Sequence, residues 1–185
     1  MAAPFHLLST HWLPVRGGSL ARIAPHKITL HHGDDPVIDF AWPRPDFDVA
    51  THEFMIGLLA VAFPPKDRRD WVRRYRTPPS PDELAAAFAH YAAAFSLDGA
   101  GPRLLQDFSP LDGKIWPIEA LFIDFSGDGD IADDGTVFVR RGHLVKRGRV
   151  LQLSRASATI ALYALRQFSP SGGHGTAPRC AAAVP

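Results

Sequence analysis

His52 and Glu53 begin the pattern of a helical zinc protease, in which two imidazoles one turn apart hold the metal and the intervening glutamate serves as base. The second ligand position is Ile56, so the pair of imidazoles that chemistry requires is missing. Asp124, Asp128, Asp130, Asp133 and Asp134 have the composition of a calcium loop but not its order. Counted from Asp128, Ala132 occupies the fifth position, Asp133 stands where the turn glycine belongs, and Val139 replaces the terminal glutamate. The acidic run therefore reads as a solvated loop. His31 and His32 have no second ligand pair at a metal-binding spacing, and the chain lacks a nucleophile elbow, a Walker loop and a dinucleotide fingerprint. No nucleophile, base or metal constellation remains, which points away from an enzyme and implies no cofactor.

Two segments could bind rather than react. Ser171, Gly172, Gly173, His174 and Gly175 form a glycine-rich loop whose backbone can approach a partner closely and adopt positive φ. It reads either as a simple turn or as a binding backbone, and the absence of a following lysine weakens a phosphate cradle. Arg140, Arg141, Lys146, Arg147 and Arg149 place five cations within ten residues, with Phe138 available for stacking. They could track phosphates, or they could form an ordinary solvated face.

The elements that must position these segments are partly explicit. Phe5 to Val15 reads as a short strand or extended entry before the turn Gly17-Gly18-Ser19, and Lys27 to Leu30 as another strand. A helix begins near Asp46 to Asp48 and runs to Ala62 before Pro64-Pro65. Apolar residues cover nearly its whole circumference, which predicts a central core helix. Asp67 to Arg76 reads as a short amphipathic helix with Trp71, Val72 and Tyr75 on one side and five arginines among them. Ser80-Pro81-Asp82-Glu83 is a capping box with proline at the first helical position, and Leu84, Phe88, Tyr91, Ala92 and Phe95 continue at helical spacing. Pro117 to Phe125 is apolar but too short to assign. Gly127 to Gly148, punctuated by glycine, predicts a long irregular loop with an acidic and a basic arm, and Ser154 to Phe168 an apolar helix running into the glycine loop.

At 185 residues and 46% hydrophobic, the chain can bury the core of one α+β domain. A net charge of +1 confines any nucleic-acid affinity to local patches. The single cysteine, Cys180, excludes an internal disulfide, and no run reaches the ~18 apolar residues of a membrane span. These features predict a cytoplasmic location and no membrane partner.

Four segments together resemble the amino-terminal part of the CasA-type large subunit of the type I-E CRISPR interference complex, Cascade. They are F-H-L-L-S-T-H-W-L-P-V-R at Phe5 to Arg16, F-M-I-G-L-L-A at Phe54 to Ala60, P-I-E-A-L at Pro117 to Leu121, and F-V-R-R-G from Phe138 followed by A-L-Y-A-L-R-Q-F-S-P-S-G-G-H-G ending at Gly175. The resemblance implies a non-catalytic subunit that docks at the 5′ end of the guide RNA, helps recognise the protospacer-adjacent motif in target double-stranded DNA, and recruits a helicase-nuclease alongside the other Cascade subunits. It implies that Gly172, Gly173 and Gly175 meet the minor groove, where a side chain would hold the backbone away from the base edges. It also implies that Phe138, Arg140, Arg141, Lys146 and Arg147 belong to a loop that contacts guide RNA. The alternative is a stand-alone RNA-contacting or protein-interaction domain without interference function.

Two departures qualify the resemblance. Where many relatives carry C-x-x-C before the last helix, this chain has Ser154 and Ser157, and serine hydroxyls do not replace zinc thiolates. The family also continues past the glycine loop with H-R-T-S-L-R-G-G-G-P-L-T. One coding of that stretch, read one base later, translates as T-A-P-R-C-A-A-A-V-P and a stop, the sequence of Thr176 to Pro185. The expectation is a frameshift after Gly175, an amino-terminal fragment of a gene roughly two to three times longer, and a disordered tail.

Overall fold

The computed structural model describes residues 4–99, 103–106, 117–124, 129–131, 137–139 and 150–168. It is an α+β chain in two compact units, Met1–Leu104 and Leu105–Pro185. No helix among the described residues is long and apolar enough to cross a membrane.

The first unit is built on a small antiparallel sheet, β1 (Leu13–Arg16) between β2 (Arg22–Ile23) and β3 (Asp39–Phe40). Leu13 lies opposite Ile23 and Val15 opposite Phe40, and all four are buried, so the two-residue period of β1 sends one face to the core. Gly17 turns the chain out of β1 at φ +75°, where a Cβ would sit 2.5 Å from the Pro36 carbonyl oxygen. Only glycine fits that turn. The segment before β1 is not a strand along its length. His6 bridges Ser96, Leu7 N–H donates to the Phe95 carbonyl and Leu97 N–H to the Phe5 carbonyl, which ties the opening motif to residues 95–98. The expected strand at Lys27 to Leu30 is instead a 3-10 helix, Pro25–Thr29. Pro25 at its start favours helical φ, and Thr29 Oγ1 donates to the Pro79 carbonyl at 2.8 Å.

Helix α1 (Pro45–Ala62) presents Phe47, Ala50, Thr51, Phe54, Met55 and Leu58 to the core. Its entry is held by Asp48, whose carboxylate accepts from Trp42 N–H at 3.0 Å. The expectation of a central core helix is corrected: Val49, Ile56 and Val61 are exposed, so one face packs and the other is open within this chain. Trp12 fills the centre of the unit, 5.8 Å from the Phe54 ring and 6.2 Å from Trp42, its indole N–H donating to the Leu7 carbonyl at 2.8 Å. Trp42 donates to Thr51 Oγ1, which in turn donates to the Phe47 carbonyl, so both buried indoles have acceptors.

Helix α2 (Arg68–Arg76) follows, capped by Asp67. Helix α3 (Pro81–Ala89) opens with both bonds of the capping box between Ser80 and Glu83, and buries Leu84 and Phe88. It ends earlier than its apolar spacing predicts. The chain tightens into a 3-10 turn at Ala92–Ala94, leaving Tyr91 half-exposed.

The second unit holds the 3-10 turn Ile118–Leu121, the strands β4 (Gly129–Ile131) and β5 (Val137–Val139), and helix α4 (Arg155–Phe168). β4 and β5 pair antiparallel, Gly129 with Val139, Asp130 with Phe138 and Ile131 with Val137. This corrects the expectation of irregular chain throughout Gly127 to Gly148. Val137-Phe138-Val139 is a β-branched and aromatic triplet, and once a partner strand lies beside it pairing prevails over the glycine punctuation.

Candidate nucleic-acid interface

Helix α4 precedes the glycine loop in the sequence. Ser154 caps it: its hydroxyl accepts from Ser157 N–H at 3.0 Å and lies 2.9 Å from the Ser157 hydroxyl, while its carbonyl accepts from Ala158 N–H. Of the two serines at the C-x-x-C spacing, Ser154 satisfies a helix amide and Ser157 pairs with its hydroxyl, so the first turn is closed without thiolates. Ala156, Thr159, Ile160, Ala161 and Ala164 form the buried face, and α4 packs on the Ile118–Leu121 turn, where Glu119 is also buried. Both partners of this packing belong to the P-I-E-A-L and A-L-Y-A-L-R-Q-F segments.

The loop follows a helix carboxyl end. That end carries the negative part of the helix dipole, the opposite of a phosphate-cradling amino terminus. Gly172, Gly173 and Gly175 themselves lie outside the described residues.

Phe138 sits at the middle register position of β5, opposite Asp130. Arg140 and Arg141 follow β5 directly in sequence, and with Lys146 and Arg147 they lie outside the described residues. His52 and Glu53 are exposed on α1. The His52 ring is engaged locally, by the Asp48 carbonyl at 2.8 Å, by Asp39 at 3.5 Å and edge-on to Phe40.

The surface that sequence reasoning passed over is α2, which is mounted inside out. Its only buried residue is Asp70, and its aromatic side faces outward, with Trp71 56% and Tyr75 75% exposed. Asp70 accepts from Lys66 N–H and from both Arg73 and Arg74, the latter at 2.7 Å. Arg74 also donates to the Phe63 carbonyl and lies over the Phe63 ring at 4.1 Å. The helix is thus fastened by a polar cluster. The Trp71 and Tyr75 rings stack on one another, 5.7 Å between centroids and 9° from parallel. A tryptophan and tyrosine at i, i+4 among five arginines was the available signal.

Arg73, then the Lys66 backbone and Arg74, hold the Asp70 carboxyl well below the usual carboxylate range. A depressed folded pKa contributes stability that is fully present above the unfolded value near 3.9 and is lost as pH falls through the folded value. Asp70→Asn is therefore expected to lower the urea midpoint at pH 7, and the gap from the parent should narrow as pH falls below about 4. Urea titrations at pH 7 and pH 3 measure both.

Known proteins place this arrangement. The family model of CRISPR-associated protein Cse1 matches residues 6–184, a span that includes most of the tail after Gly175. Thermus thermophilus CasA (Cse1) is similar with a TM-score of 0.65 at 18% identity, over 91% of this chain and 31% of that one. Cse1 from Acidimicrobium ferrooxidans is similar with a TM-score of 0.63 at 20% identity, over 89% of this chain and 29% of that one. The chain thus spans about a third of the length of these relatives. No curated protein matches it. With four matching segments, two of them packed together as α4 on its 3-10 turn, and a family match along nearly the whole length, the chain belongs to the CRISPR-associated Cse1 family.

Proposed function

We propose that this chain is the amino-terminal part of a non-catalytic Cascade large subunit, which docks at the 5′ end of the guide RNA and takes part in recognising the protospacer-adjacent motif in target DNA. The family match over residues 6–184 carries the reading. Phe138, Arg140, Arg141, Lys146 and Arg147 supply the RNA contact, cations for phosphates and a ring for a base. Gly172, Gly173 and Gly175 approach the minor groove from the end of α4. Its partners are guide RNA, target duplex and the other Cascade subunits, with the helicase-nuclease recruited by the intact complex; no cofactor takes part.

Assembly by this chain alone is expected to be weak, and co-purification with the backbone subunits at full stoichiometry would contradict that. Motif reading is tested with Cascade lacking its large subunit, supplemented with this chain at high micromolar concentration and offered a duplex library randomised at the motif. The parent should enrich a motif and Gly173→Val should erase the enrichment; equal enrichment by both removes the glycine loop from the function.

A further inference from the structure

A short helix normally turns its aromatic residues to the core and its charges to water. On α2 the reverse holds, and the reason for it is visible: Asp70, Arg73 and Arg74 form the anchoring cluster, with Arg74 reaching Phe63, so the side left facing out carries exposed Arg68, Trp71, Tyr75 and Arg76, with Val72 half-buried among them. At 100° per residue these five positions share one face, with Arg68 and Arg76 about 12 Å apart along the axis by the 1.5 Å rise. The aromatic pair is already stacked and nearly parallel, so a further ring can be added at the end of an existing stack. Arg68, Arg69 and Arg76 are exposed and make no ion pair among the described residues, while the helix's one acidic side chain, Asp70, is consumed by its own arginines.

We propose that the outward face of α2 binds single-stranded nucleic acid, with a base extending the Trp71–Tyr75 stack and phosphates meeting Arg68, Arg69 and Arg76. Charge complementarity selects this occupant: Arg68, Arg69 and Arg76, with Asp70 turned to Arg73 and Arg74, give a surface that repels basic partners and suits a polyanion. Stacking selects the single strand, because in a duplex the base faces are covered by their neighbours. Neither contact reads the sugar, so RNA and DNA should bind alike. This site stands on α2 alone and can fail without affecting the Cascade reading, just as it can survive the failure of that reading.

The test uses the full 185-residue chain carrying Arg140→Ala, Arg141→Ala, Lys146→Ala and Arg147→Ala, so that binding by the basic arm is removed. Fluorescence anisotropy with labelled twelve-nucleotide oligo-U and oligo-dT should give affinities within about threefold of each other, both stronger than for a duplex of equal length. Adding Trp71→Ala and Tyr75→Ala should weaken both at least tenfold, within the range expected for one lost base stack. Trp71→Phe, which keeps a stacking ring, should stay within about threefold of its background. Arg68→Ala with Arg76→Ala should reduce the salt slope by about 1.4, two phosphate contacts' worth. Unchanged affinity in the double aromatic variant, an unchanged salt slope, or preference for the duplex overturns the proposal. Should the aromatic variant lose its fold, iodide quenching decides: the Trp71 signal, isolated as the difference between parent and Trp71→Phe, must be shielded by saturating oligo-U, and an unshielded signal overturns the proposal.

Discussion

Replacing Trp12 by alanine is expected to cost about 3–5 kcal/mol, the range for removing a large aromatic side chain from a packed core. Trp12 is 1% exposed and joins elements far apart in sequence: Phe5 before the sheet, Trp42 after it and Phe54 on α1. Its indole N–H is the donor to the Leu7 carbonyl, so the substitution also strands a buried acceptor. Against a domain stability of about 5–15 kcal/mol, that loss removes roughly a fifth of the total or more. Urea unfolding followed by far-UV circular dichroism measures it. Trp71→Ala, which removes the same side chain from an exposed site, should shift the midpoint little, and equal costs for the two would show that the Trp12 cluster does not organise the unit.

The second large effect concerns the basic arm. Four cations on single-stranded RNA contribute about −2.8 to the salt slope, so the arm's share of the affinity for guide RNA should fall roughly fifty-fold between 50 and 200 mM salt. Replacing Arg140, Arg141, Lys146 and Arg147 by alanine should remove that share of the parent slope. What remains should belong to α2, whose contribution is separable by the Trp71 and Tyr75 substitutions. Anisotropy titrations across the salt series measure both slopes. A slope unchanged in the four-alanine chain means the arm is a solvated face, as its composition alone also allows.

Legibility in the sequence tracked how local each signal is. The capping box of α3, the short helix that begins at Asp67 and the apolar run of α4 rest on signals local in the sequence, and the structure has all three. Lys27 to Leu30 was misread as strand because what holds it is Thr29 reaching Pro79, fifty residues away. The β4–β5 ladder was hidden for the same reason, since Phe138 acquires a strand only through Asp130. For α1 the composition was read correctly and its consequence was not: an apolar circumference does not ensure that this chain covers every side of it. The inversion of α2 depends on Arg74 finding Phe63, a tertiary contact with no sequence period. As for the site, the glycine loop and the basic arm were visible as unusual runs, but a solvated face and a plain turn explain such runs equally well. The ordered match of four segments to one family is what favours the binding reading proposed above.

A chain that takes the large-subunit position of Cascade, as proposed, must compete for it with a full-length subunit. Cascade loaded with guide RNA but lacking its large subunit is titrated with labelled chain at 50 mM salt, and a full-length Cse1 relative is then added. Weak binding that the relative displaces completely is the expected result. Binding that persists alongside the full-length subunit, or that is no stronger than binding to Cascade already holding one, would contradict the account.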